Sequence, residues 1–137
     1  MKVYKTLSLS TLQLEEIYSS LGGKYSMWER LKRKRIGSPM MFYTKGNEEL
    51  DALQALASNE ILINIELLKK GVIFRIAERT TTYFIPFKKE EIKAINVVKQ
   101  DQRVIVEFKT IEATFYLWGN LDYYSGWEVF IKELNRK

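Results

Sequence analysis

The sequence predicts an α+β fold: N-terminal helices, then an antiparallel, partly open β-barrel of about six or seven strands, then one amphipathic C-terminal helix. Three observations carry this. Apolar residues recur at helical spacing through the first third of the chain, and from Asn59 the period changes to two. The connections after that point are short, which favours antiparallel neighbours. The last stretch, from Tyr124, returns to helical spacing. Residues 1–58 are therefore expected to form a helical extension packed on or beside the barrel, and residues 59–137 the barrel with its C-terminal helix.

The first helix is expected over about residues 11–21. Ser10 and Gln13 have capping-box spacing, and Leu14, Ile17, Tyr18 and Leu21 share a face. Gly22 suits the left-handed position after the last turn. Ser26 and Glu29 repeat the capping-box spacing before a second helix. Met27, Trp28 and Leu31 share one face of it, and Lys32 and Arg35 fall inside the same arc. "GSPMMFYTKGN" breaks the helical pattern, with a short strand at Met40 to Thr44. Asn47 caps the next helix, Glu48, Glu49 and Asp51 complement its positive start, and Leu50, Leu53 and Leu56/Ala57 form its buried stripe.

"EILINIELL" is a strand, and "KKG" at 69–71 is a turn. In "VIFRIAER", Val72, Phe74 and Ile76 alternate against Ile73 and Arg75. "TTYFIPF" is β-branched and aromatic, with Pro86 marking its end. Strands follow at 92–98, at 103–109 with Val104, Val106 and Phe108 inward, and at 112–118 with Ala113, Phe115 and Leu117 on one face. Ser125 and Glu128 are spaced to cap the final helix, with Tyr124 and Val129 as its hydrophobic staple. Trp127, Phe130, Ile131 and Leu134 form its apolar face.

The chain has no Cys and no His. That removes disulfides, thiol nucleophiles, Cys/His zinc sites and the imidazole base, so triad chemistry is excluded. The glycines are scattered, and "GGK" at 22–24 lacks the spacing of a phosphate loop. Glu90 and Glu91 are adjacent, so on a strand they face opposite ways and do not make an acid–base pair. No enzyme activity, cofactor or metal is expected. The N-terminus lacks the apolar run of a signal peptide, and no stretch is long and apolar enough to span a membrane. The expected location is cytoplasmic, with peripheral attachment at the inner membrane face.

Net charge is +5. From Lys24 to Lys45 the chain holds seven cations and one acid, Glu29, so that window carries +6 and leaves −1 for the rest. The basic character is local, which points to a site or a tail.

"GVIFRIAERTTTYFIPFKKEEIKAINV", followed by "RVIVEFK", "ATFYLW" and a helix carrying Trp127, resembles the pleckstrin-homology-like superfamily, in particular its bacterial PH-like and GRAM-like domains. The resemblance covers roughly residues 59–137. It implies a barrel that hosts many functions, some members binding phosphoinositides and others peptides or proteins, so the fold does not name the ligand. Lipid-binding members are similar in a basic motif at the first hairpin. Lys69 and Lys70 match that turn, and Arg75 and Arg79 follow, but no basic-x-Arg pair does.

Two candidate surfaces result. Trp28, Arg30, Lys32, Arg33, Lys34 and Arg35 would dock to an anionic surface, with Trp28 as interfacial anchor; the bland alternative is a solvated helix end. Lys69, Lys70, Arg75 and Arg79 would form a basic patch at the hairpin, or else a charged turn guarding an edge. Tyr116, Trp118, Tyr123 and Tyr124 would stack bases if exposed, or pack under the last helix. The expected function is a non-enzymatic binding module docking to a protein partner or an anionic membrane surface. The alternative is nucleic-acid binding through the basic 30–35 helix.

Overall fold

A computed structural model describes residues 1–33, 36–56 and 60–136. Lys34 and Arg35 of the basic run, and Ala57 and Asn59, lie outside the described residues. The elements run β1 (Tyr4–Lys5), α1 (Thr11–Ser20), α2 (Met27–Lys32), β2 (Met41–Lys45), α3 (Glu48–Leu56), β3 (Leu62–Leu68), β4 (Gly71–Glu78), β5 (Thr81–Lys88), β6 (Ile92–Gln100), β7 (Arg103–Thr110), β8 (Thr114–Asn120) and α4 (Tyr124–Leu134). One open sheet holds eight strands in the order β1-β5-β4-β3-β2-β8-β7-β6, each pairing antiparallel. The count exceeds the expected six or seven.

The sheet crosses the boundary expected at residue 58. β2 is an inner strand between β3 and β8, so the N-terminal part supplies the sheet's middle. The Lys69–Lys70 turn thus joins β3 to β4, after β2 has already entered the sheet. It is not the sheet's first hairpin.

The sheet curls on itself. β4 and β7 are four strands apart, which would put them about 19 Å apart in a flat sheet. Yet the rings of Phe74 and Phe108 lie 4.9 Å apart, with Phe87 and Phe115 also against Phe74. Edge-to-face aromatic pairs of this kind add roughly 0.5–1.5 kcal/mol each beyond their burial. α4 lies over this core with Trp127, Phe130 and Leu134 buried. Its start differs from the expected cap. A 3-10 turn, Leu121–Tyr123, leads straight into the helix, so Ser125 lies inside it and Tyr123 occupies the cap position without a side-chain bond.

The outer face of β3, β4 and β5 is covered as well. Ile17 and Leu21 of α1 pack on Leu68, Ile73 and Phe84. Burial on both faces is why "VIF" reads as an unbroken apolar run. α1 forms where the sequence places it, with the Ser10–Gln13 capping box made. Gly22 follows with φ of +82°. Asn47 Oδ1 accepts the Leu50 amide at 3.0 Å and caps α3. Leu50 is buried and Leu53 half-buried, but Leu56 is exposed and leaves the expected stripe. β5 runs two residues past Pro86. Pro86 pairs opposite Ile73 of β4 and lies beyond the stretch that β1 pairs, Tyr83 and Phe84.

Tyr18 bridges α1 to the sheet. Its hydroxyl donates to Glu66 Oε2 at 3.1 Å and its ring meets Phe84 edge-on. Burial, then the Glu66 carboxylate, pushes the phenol up to about 12. The folded value is raised above the unfolded one, so the stability Tyr18 contributes is full below pH 10 and fades as pH rises through about 12. Burial raises the Tyr25 and Tyr43 phenols as well, so absorbance titration should show a late-ionising group of tyrosines, and Tyr18→Phe should reduce that late component by one phenol.

Candidate functional site

The site is built on α2. Ser26 and Glu29 close a capping box: Ser26 Oγ accepts the Glu29 amide at 3.2 Å, and Glu29 Oε1 accepts the Ser26 amide at 3.1 Å. Those bonds, with Lys69 nearby, hold the Glu29 carboxyl below the usual carboxylate range. Anchors flank the helix. Before it, Tyr25 is buried in the core. After it, Arg33 donates to Glu133 Oε2 and to the Glu133 carbonyl, each at 3.0 Å, and stacks 4.1 Å over the Tyr25 ring.

Between these anchors the helix presents its apolar face to water. Met27, Trp28 and Leu31 are 78, 76 and 73 % exposed. At 100° per residue they span an arc of about 100°, with Arg30 about 60° before it and Lys32 about 40° after it, so Lys32 flanks the arc and does not, as expected from the sequence, fall inside it. Single exposed apolar residues are ordinary, but three contiguous ones forgo roughly 1.5–3 kcal/mol of burial each. The sequence grouped these three correctly. Nothing in a helical wheel says whether an apolar arc meets the core or the solvent.

Arg33 belongs elsewhere. Its side chain is 13 % exposed and paired to a Glu133 side chain 8 % exposed. It holds α2 to the end of α4 and does not join the docking face. Arg30, Lys32 and Lys24 are exposed. Arg30 Nε donates to the Tyr25 carbonyl at 3.2 Å, and the Lys24 ammonium sits 4.6 Å over the Tyr18 ring.

The hairpin residues separate. Lys69 comes to α2, its ammonium 3.4 Å from Glu29 Oε1. Arg75 lies mid-strand on the outer face, over the Phe84 ring at 5.8 Å. Arg79 is in the β4–β5 turn with φ of +55°, its guanidinium 3.8 Å from Glu78. β4 is eight residues long, so Arg79 stands roughly 25 Å from Lys69 and Lys70. One end of the sheet gathers Lys69 and Lys70 with α2, and Arg79 lies at the other.

Two further lysines join that end. Lys69, Lys70, Lys88 and Lys89 line a cleft of about 350 Å³ with Ser20 and Glu90. Three chain segments are stitched there by backbone bonds: the Lys69 amide to the Gly23 carbonyl at 3.2 Å, Lys70 to Leu21 at 2.7 Å, and Lys89 to the Lys70 carbonyl at 3.1 Å. Burial, with the Arg33 charge nearby, lowers the Lys89 ammonium below its usual value. "KKEE" reads in the sequence as a loop of offsetting charges. The segment Lys89–Glu91 is instead a 3-10 turn in which Glu91 folds back to accept the Lys88 amide at 2.8 Å. A signal was present. A two-residue turn at Arg79–Thr80 sets Gly71 opposite Lys88, which carries the two lysine pairs side by side.

Tyr116 and Trp118 do not pack under α4. They lie half-buried on the outer face of β8, Trp118 against Phe42 at 4.5 Å and under Arg103 at 4.3 Å, and Tyr116 under Lys45 at 4.9 Å. Tyr124 packs on the core edge and Tyr123 is exposed. No group of acidic residues that could hold a metal occurs among the described residues. No helix among them is long and apolar enough to cross a membrane. Comparisons with protein-family models, with curated proteins and with solved structures give no match.

Proposed function

We propose that this chain is a non-enzymatic docking module that attaches peripherally to an anionic membrane surface through α2. The observation that carries this is the contiguous exposure of Met27, Trp28 and Leu31 between Arg30 and Lys32. Such an arc inserts its apolar residues at the headgroup boundary while its cations meet anionic lipid. Each cation near that surface contributes about 1 kcal/mol, and Lys69, Lys70 and Lys88 stand at the same end of the sheet. The cytoplasmic leaflet has the required charge. A PH-like framework is part of the proposal. It is supported by the seven consecutive strands β2 to β8, which curl around an aromatic core with α4 lying across it.

Co-sedimentation with phosphatidylcholine vesicles, with and without phosphatidylserine, tests this. The protein should pellet with the anionic vesicles. Trp28→Ala/Leu31→Ala and Arg30→Glu/Lys32→Glu should each lose about tenfold or more in partitioning. Equal pelleting by all three proteins would refute the assignment. A protein that ignores vesicles but shifts nucleic acid at low salt would move the function to the alternative surface chemistry.

A further inference from the structure

The cleft between the β3–β4 turn and the 3-10 turn after β5 concentrates like charge to a degree that α2 alone does not require. Four lysines line it. The acids near them are Glu90, in the lining, Glu29, which pairs with Lys69, and Glu91, whose carboxylate accepts the Lys88 amide at 2.8 Å. Among the described residues no ion pair forms at Lys70, Lys88 or Lys89. Backbone bonds, not side-chain attraction, hold the lysine-bearing segments together. The backbone therefore fixes four ammonium groups around one cleft, three of them without an ion-pair partner among the described residues. Lys89 is half-buried and its charged form is disfavoured there. Binding a multiply charged anion would satisfy several ammonium groups at once. Its oxygens would accept charge-assisted hydrogen bonds, which are roughly twice as strong as neutral ones. Ser20 adds a hydroxyl to the wall. A cleft of about 350 Å³ accommodates a small ligand or a headgroup and not a folded partner.

We infer that this four-lysine cleft is a binding site for a phosphomonoester or pyrophosphate group. The inference deepens the membrane reading by naming the headgroup chemistry. It rests on that reading for the placement of the cleft beside the bilayer. The ligand's shared feature is a terminal phosphate dianion, carried either by a lipid headgroup or by a soluble molecule. Lys70 and Lys88 are exposed and, unlike the exposed Lys69, form no ion pair among the described residues, so they can be changed with the least disturbance of the fold.

The test has two arms. Pyrophosphate is titrated by calorimetry into the wild type, into Lys70→Ala/Lys88→Ala and into Trp28→Ala/Leu31→Ala, with melting temperatures checked for each. The wild type and the Trp28/Leu31 variant should bind alike, and the lysine variant should bind about tenfold more weakly or worse. In the second arm, vesicles containing phosphatidic acid are compared with phosphatidylserine vesicles of matched surface charge. A preference for phosphatidic acid that the lysine variant loses assigns the phosphate to a lipid. Pyrophosphate binding without that preference assigns the site to a soluble phosphate. Absence of pyrophosphate binding by the wild type, or equal binding by the lysine variant, overturns the site. Failure of the α2 docking face shows separately, as vesicle binding indifferent to Trp28 and Leu31.

Discussion

Gly71→Ala is expected to destabilise the protein by about 3 kcal/mol or more, a fall in melting temperature on the order of 10 °C. Gly71 opens β4 where three layers meet. A Cβ there would lie 2.2 Å from the Phe87 carbonyl oxygen and 2.8 Å from Leu21 Cδ2. The first is backbone of the neighbouring strand, and the second is a fully packed side chain at the end of α1. Neither can retreat without parting β4 from β5 or α1 from the sheet. Gly23 is the control. Its φ is +80° and nothing lies within 4 Å of its Cβ position, so Gly23→Ala meets only the left-handed backbone cost of roughly 1–2 kcal/mol. Thermal melts of the two variants should separate clearly. Equal losses would mean that the close approach at Gly71 does not exist. The same change bears on the candidate cleft, because Lys70 precedes Gly71 and Lys88 is its partner across the β4–β5 ladder.

Glu133→Leu is expected to cost about 3–5 kcal/mol, because it leaves the Arg33 guanidinium inside with its carboxylate removed. Arg33→Met should cost a comparable amount from the other side. The double variant Arg33→Met/Glu133→Leu should recover most of the loss, since apolar groups of similar volume tolerate such a site. Denaturant melts of the four proteins measure the coupling directly. Strictly additive losses would contradict the inward placement of Arg33. The pair also decides how docking experiments are designed. A charge reversal at Arg33 would loosen α2 from α4 and mimic a binding defect. Arg30 and Lys32 report on the docking face without that effect.

Local signals in this sequence translated well. Both Ser-x-x-Glu/Gln boxes at Ser10 and Ser26 form, Asn47 caps α3, and the inward rows of β7 and β8 are the expected ones. Each depends on neighbours within one element. What the sequence did not show depends on partners far along the chain. Arg33 meets Glu133 across 100 residues, and a run of basic residues gives no hint that one of them turns inward. β2 is five residues long and lies between helices, so its place in the middle of the sheet follows from pairing with β3 and β8 and not from its own pattern. Ser125 has the spacing of a cap, but the preceding 3-10 turn already sets the helix direction and the box is never made. The lysine cleft was partly legible, because hairpin register alone brings the two Lys-Lys pairs together. The exposure of Trp28 was not, since it depends on what fails to cover α2.

Depth-dependent quenching of Trp28 gives the most direct measurement of the central claim. Trp127 is buried and Trp118 is half-buried on another face, so a Trp118→Phe background leaves Trp28 as the exposed indole. With phosphatidylserine vesicles carrying bromine on the upper acyl chain, Trp28 fluorescence should shift to the blue and be quenched. With uncharged vesicles it should do neither. An emission spectrum unchanged by anionic vesicles, at concentrations where the protein co-sediments with them, would contradict docking through α2.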